Sequence, residues 1–133
     1  MTKIIHTSGK RKRAIARATL KSGTGKVKVN GVLLDVYGTE ITRTKLMEPL
    51  ILADKYSSKI DLNVKVMGGG FMSQADAARL AIGRALVQFA KNDKLKELFL
   101  EYDRNLLVAD TRRKETCKPN DSKARAKRQK SYR

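Results

Sequence analysis

Three adjacent glycines, Gly68-Gly69-Gly70, follow an alternating apolar run and precede a helical pattern, the setting in which backbone N–H groups cradle phosphate. The match goes no further. The G-x-G-x-x-G spacing is incomplete, no Gly-Lys-Ser/Thr follows, and Gly25-Lys26 is continued by Val27, which has no hydroxyl for magnesium. A tight strand-to-helix turn is the simpler reading, and contact between this helix start and an RNA phosphate stays open. Other reactive groups are as sparse. Asp35, Glu40, Glu48, Asp54, Asp61, Asp76, Glu101, Asp103 and Asp110 are scattered, and Glu101 and Asp103, two apart on a helix, face different ways. Ser131 has no His neighbour to activate it. His6 and Cys117 stand at opposite ends of the chain without the spacing of a zinc site. These residues predict no enzyme, no cofactor and no metal.

Charge is where the chemistry lies. The chain has 133 residues, with 30 Lys or Arg against 13 Asp or Glu, a net charge of +17. It is concentrated at the ends. Met1 to Lys21 contributes +7 with no acid, and the segment from Thr111 onward contributes +8, which leaves +2 for Ser22 to Asp110. Two basic flanks around a near-neutral middle read as electrostatic arms whose like charges repel until phosphates neutralise them. The last twenty-three residues hold ten Lys or Arg and almost nothing large and apolar, so they cannot bury themselves. The phosphate-binding candidates are Lys10, Arg11, Lys12, Arg13 and Arg17 in the first flank. In the second they are Arg112, Arg113, Lys114, Lys118, Lys123, Arg125, Lys127 and Arg128. Aromatic residues are few and most sit at core-like helical positions, with Tyr132 the exposed exception, so binding is expected through phosphates and shape rather than base stacking.

The elements that must carry these residues form one domain, over residues 1–110, followed by an extended basic tail, 111–133. Arg11 to Leu20, read as a strand, puts Ala14, Ala16, Ala18 and Leu20 on one face, which a helix can approach closely. Lys26 to Val29 alternates cleanly, and a hairpin with the preceding strand is expected. Asn30-Gly31 predicts a type I′ turn, with Val32 to Leu34 returning as a strand. Between Thr39 and Tyr56 a short helix is expected to end near Glu48, with a second turn starting at Pro49. Ile60 to Val66 alternates without exception and is the most secure strand. Ser73 with Asp76 suggests the start of a long helix with Ala75, Ala78, Ile82, Ala85, Leu86 and Phe89 on its buried stripe and Arg79, Gly83 and Gln88 away from it. Leu95, Leu98, Phe99 and Tyr102 mark another amphipathic segment, and Leu106 to Ala109 a last buried strand. The fold class is α+β, a sheet with helices on one face.

The single cysteine excludes an internal disulfide and fits a reducing, intracellular setting. Leu50 to Ala53 is too short an apolar run to span a bilayer, and Met1 to Arg13 contains no signal-like apolar region, so a soluble cytoplasmic protein without a membrane partner is expected. A DNA-compacting protein would share the charge but needs a groove-reading helix or symmetric dimer surface. An RNA-modifying enzyme needs a cofactor loop. Neither is evident in the sequence.

The stretches GKRKRAIARATL from Gly9, GTGKVKVNG from Gly23, EPLILA from Glu48, IDLNVKVMGGG from Ile60, QADAARLAIGRALV from Gln74, EYDRNLLVADTRRKE from Glu101 and ARAKRQKSYR from Ala124 resemble, in order, the family of protein nine of the small ribosomal subunit, archaeal and eukaryotic branch. Gly83 stands where another Ala is usual, and Cys117 and Asn120 interrupt a typical Lys-Lys-Pro-Gly segment. The resemblance implies a ribosomal-protein-S-five domain-two-like fold and a structural role on the ribosome. Its partners would be small-subunit rRNA in the 3′ major domain of the head, peptidyl-site tRNA and neighbouring small-subunit proteins. The basic residues named above then become rRNA-binding candidates, and Lys130, Ser131, Tyr132 and Arg133 the tRNA-facing tip, with Arg133 suited to gripping phosphate oxygens in two places.

Overall fold

The computed structural model describes residues 4–120 and 123–125 and sets five strands, β1 (Ile5–Arg11), β2 (Ala14–Ser22), β3 (Val27–Val29), β4 (Val32–Leu33) and β5 (Ile60–Met67), in one sheet of order β1-β2-β5-β3-β4. All neighbours are antiparallel except β3 and β5, which run parallel. Four helices, α1 (Glu40–Leu52), α2 (Asp54–Ser57), α3 (Phe71–Ala90) and α4 (Asp93–Tyr102), complete the α+β architecture, with single 3-10 turns at Leu34–Val36 and Arg104–Leu106. α3 lies on β1 and β2, and α1 and α4 pack against α3. No helix among the described residues is long and apolar enough to cross a membrane.

Strict alternation makes β5 the strand fit for the middle of the sheet. Ile60, Leu62, Val64 and Val66 all enter the core, while both edges of the strand find partners. This overturns the expected hairpin between β2 and β3, because β5 lies between them. The connecting loop instead wraps the start of β5: Gly23 N–H donates to Lys59 O at 2.9 Å, Gly25 N–H to Ile60 O at 2.9 Å, and Asp61 Oδ1 accepts from Thr24 and Lys26 N–H at 2.9 and 3.0 Å. Those backbone bonds hold the Asp61 carboxyl below its ordinary pKa. The Asn30-Gly31 turn between β3 and β4 forms with positive φ at both residues, as type I′ geometry requires. The returning strand stops at Leu33, and Leu34 begins a 3-10 turn.

The contact between α3 and the sheet is built from small residues. Ala14, Ala16 and Ala18 face Ala77, Ala78, Ala81 and Ala85 in one buried cluster, and Gly9 of β1 lies directly under the helix. Thr7 Oγ1 donates to Ala81 O at 2.7 Å across the same gap. The first flank is therefore no free arm: its basic residues sit in the β1–β2 hairpin, and strand structure begins at Ile5 rather than near residue 11.

Further expectations are corrected. α1 runs unbroken through Pro49 to Leu52, because the proline ring is fully buried in the core and removes only one N–H, while Ala53 N–H still reaches Pro49 O at 3.2 Å. α3 starts at Phe71 with Gly70 at its N-cap and no side-chain cap, and Asp76 turns to cations instead. Leu106 to Ala109 is not a strand. Asp103 Oδ1 accepts from Asn105 N–H at 2.9 Å and closes the 3-10 turn Arg104–Leu106, which sinks Leu106 into the core beside Gly83. Gly83, expected away from the buried stripe, is thus buried, and so is most of the Arg79 side chain, at 13% exposure.

Candidate nucleic-acid interface

The segment after Leu106 returns along α3 to the tip of the β1–β2 hairpin. Arg84 tethers it on the way, donating from Nε to Leu107 O at 3.0 Å and from Nη1 to Ser8 O at 2.9 Å. At the tip, Arg113 Nη1 donates to Lys12 O at 2.5 Å, so the two basic flanks, a hundred residues apart in sequence, are joined backbone to side chain. The glycine turn arrives from the third side. Gly68 and Gly69 hold φ of 74 and 69°, and a Cβ on either would stand 2.7 Å from Arg13 O or 3.0 Å from Ala14 N. Only glycines let the β5–α3 turn lie this close to the hairpin.

Together these segments enclose an open concavity of about 870 Å³, lined by Arg11, Lys12, Arg13, Gly69, Gly70, Ser73, Arg112 to Lys114, Glu115, Thr116 and Cys117. The helix start that the glycines suggested as a phosphate contact thus shares a basin with both basic flanks. Its uncapped N–H groups add a partial positive charge to the cations around it.

Acids sort these cations into two kinds. Asp110 forms an ion pair with Arg11, Oδ2 to Nη1 at 2.7 Å, and accepts from Arg112 through Nη2 at 2.7 Å, Nε at 3.0 Å and backbone N–H at 2.9 Å. Arg11 also faces Asp76 at 3.9 Å, which Lys45 meets at 2.8 Å. Arg11 is therefore a clip between β1 and the returning segment, whereas the Arg112 side chain remains 81% exposed. Arg125 pairs with Glu115. Lys12, Arg13 and Lys114 are exposed and enter no ion pair among the described residues, so their charge is directed at solvent.

The bonds from Arg112, with the Arg11 charge behind them, draw the Asp110 carboxyl down from 3.8 to about 2. A carboxylate with a depressed folded pKa contributes stability that is present above the unfolded value and lost as pH falls through the folded one. Carboxyl carbon NMR should find Asp110 titrating near 2 in the intact chain and moving back toward the ordinary carboxylate range in Arg112→Gln. An unchanged Asp110 titration in that variant would show the Arg112–Asp110 pairing to be absent in solution.

Of the other expected site residues, Lys10 and Arg17 project from the sheet face opposite the helices, and Lys118 and Lys123 are exposed. Lys127, Arg128, Lys130, Ser131, Tyr132 and Arg133 lie outside the described residues. The sequence reading missed Lys28 and Lys65, which stand on the same sheet face as Arg17. The even spacing of Lys28 between Val27 and Val29, and of Lys65 between Val64 and Val66, was the signal that marked them as outward-facing.

Residues 9–133 match the family model described as Ribosomal protein S9/S16. The curated Small ribosomal subunit protein uS9 of Methanococcus maripaludis strain C7 is 53% identical over 133 residues, covering 98% of this chain and 99% of that one. The chain belongs to the ribosomal protein S9/S16 family. The same name is carried by the Methanococcus maripaludis strain C5 protein, at 53% identity, and the Methanococcus vannielii protein, at 51%, both with 98% and 99% coverage. An S9/S16 protein is a non-enzymatic structural protein, consistent with the scattered acids of the sequence. The archaeal relatives agree with the branch indicated by the terminal QKSYR.

Proposed function

We propose that this S9/S16 protein is a structural constituent of the small ribosomal subunit. Its globular domain, residues 1–110, binds rRNA of the head, and its basic tail, residues 111–133, extends to peptidyl-site tRNA. The observation that carries the rRNA reading is the concavity in which Lys12, Arg13 and Lys114, none in an ion pair among the described residues, converge beside an uncapped helix start. Phosphate oxygens complement that arrangement in charge and geometry. The tail reading rests on composition. Lys118, Lys123, Arg125, Lys127 and Arg128 follow one another without apolar anchors, and Lys130 to Arg133 end the chain in donors.

Reconstitution of archaeal small subunits with three forms of the chain tests both parts. With the complete chain, about eight neutralised phosphates would give a slope of log affinity against log salt of roughly −6 to −7 on isolated rRNA. Lys12→Gln/Arg13→Gln/Lys114→Gln should make that slope shallower by about 2 to 3. A chain ending at Gln129 should enter subunits stoichiometrically and release peptidyl-site tRNA faster. An unchanged slope in the triple variant would reject the concavity as the rRNA contact, and unchanged tRNA release would reject the role of the tip.

A further inference from the structure

The near-neutral charge of the middle of the chain conceals a separation that only the fold reveals. The helices carry seven acids and seven Lys or Arg, several of them paired with each other, as Lys45 is with Asp76 and Arg79 with Glu48. The sheet face turned away from the helices carries Lys10, Arg17, Lys21, Lys28 and Lys65, all exposed. Its one acid is Asp61, whose Oδ1 is already held by the N–H groups of Thr24 and Lys26. None of the five cations enters an ion pair among the described residues.

The register sharpens this. Arg17 of β2 stands directly opposite Lys65 of β5, with Ser8 of β1 on the other side of Arg17. Like charges directly opposed across strands are destabilising unless an anion lies between them. The next row along, His6, Thr19, Asn63 and Lys28, adds ring, hydroxyl, amide and ammonium groups, and His6 Nδ1 lies 3.2 Å from Thr19 Oγ1. The two rows, Lys28 excepted, line a shallow concavity of about 510 Å³ on the open face. It offers hydrogen-bond donors over a concentrated positive field, and no Phe, Tyr or Trp lines it.

We infer that this open sheet face, centred on the opposed Arg17 and Lys65, is a second RNA-contact surface that grips a phosphodiester backbone, distinct from the basin at the hairpin tip. It rests on the reading of the chain as an rRNA-binding constituent and adds a face to it. Two phosphate contacts side by side relieve the Arg17–Lys65 repulsion and use the neighbouring hydroxyls as further donors, without reading base identity. The protein then touches RNA on two sides of β2, as a wedge between two backbone segments.

The full chain is titrated with purified archaeal small-subunit rRNA over a range of salt, alongside Arg17→Gln/Lys65→Gln and the tip variant Lys12→Gln/Arg13→Gln. Loss of two phosphate contacts at the sheet face should make the slope shallower by about 1.4 to 1.8, which at 0.1 M salt corresponds to a roughly 30-fold weaker complex. Lysine acetylation of the unaltered chain provides a readout independent of the folding of any variant: rRNA should protect Lys28 and Lys65. Sheet-face binding equal to the unaltered chain, with the tip variant weakened, overturns the inference and leaves the rRNA-binding reading standing. Absence of salt-dependent rRNA binding by the unaltered chain overturns both. Protection of Lys28 and Lys65 by poly-glutamate but not by rRNA would assign the face to an acidic protein and also overturn it.

Discussion

Replacing Gly9 by alanine is expected to destabilise the protein by about 3 kcal/mol, lowering its melting temperature by roughly 4 to 8 °C for each of those. A strand glycine normally gains from such a change, by roughly 0.5 to 1 kcal/mol, because the unfolded chain loses freedom. Here the sign reverses. A Cβ at Gly9 would lie 2.0 Å from Ala77 O and 2.9 Å from Ala81 N, both backbone atoms of α3. No side chain can swing aside, so the helix itself must retreat by more than about 1 Å to restore ordinary contact. α3 is held from behind by α1 and α4, and it contributes nine buried residues to the core. Thermal denaturation measures the effect. Gly70→Ala is the control, since a Cβ there meets nothing within 4 Å, and it should remain within about 1 kcal/mol of the unaltered chain. Equal stability of Gly9→Ala and Gly70→Ala would show that helix and strand do not approach as closely as described.

Arg79→Met is expected to cost about 2 to 3 kcal/mol. Arg79 Nη1 donates to Asp103 Oδ2 at 2.6 Å and Nη2 forms an ion pair with Glu48, so one guanidinium holds α1, α3 and the residue that closes the last 3-10 turn. Breaking a fully buried pair costs roughly 3 to 5 kcal/mol, and the carboxylates here, 26% and 29% exposed, keep some water, which reduces the figure. The pH dependence identifies the cause. Burial pushes the Asp103 carboxyl up, but the hydrogen bond from Arg79, with help from Asn105 N–H, outweighs it and leaves the pKa lowered. In the unaltered chain this contribution is present above the ordinary carboxylate pKa and is lost as pH falls through the folded value. In Arg79→Met the facing carboxylates repel, and protonation relieves them, so the stability gap between the two proteins should narrow as pH drops from 7 toward 4. Chemical denaturation at several pH values measures that gap. A constant gap would mean that Arg79 acts through packing of its aliphatic stem alone.

Where side chains alternated over several residues, the fold was legible. Ile60 to Val66, the Asn30-Gly31 turn and the Ala face of β2 could all be read directly, because burial on one face leaves a period that needs no knowledge of the neighbours. β1 could not. Its inward positions include Thr7 and Gly9, chosen for a hydroxyl bond and a close helix approach rather than for apolar area, so its period is silent. Arg79 and Gly83 looked outward because the stripe facing the sheet is visible in sequence, whereas the second layer formed by α1 and the Leu106 turn is a tertiary fact. Pro49 misled for a related reason: its burial in the core outweighs a helix penalty that acts locally. At the candidate interface the basic residues could be counted, but not sorted. Nothing in the spacing of Arg11 and Arg13 indicates that Asp110 takes one and leaves the other facing solvent.

The basin at the hairpin tip is assembled from opposite ends of the chain, Lys12 and Arg13 from one and Arg113 and Lys114 from the other, closed by the bond from Arg113 to Lys12 O. A polypeptide emerges from its own synthesis with the first residues leading. The β1–β2 hairpin cannot complete its sheet until β5 has appeared, and the basin cannot close until residue 114 is out. The cations of the basin therefore come together only after residue 114 has been made, when all five strands and four helices beneath them are already out. A partly made copy carries the basic hairpin tip without the second set of cations that completes the basin.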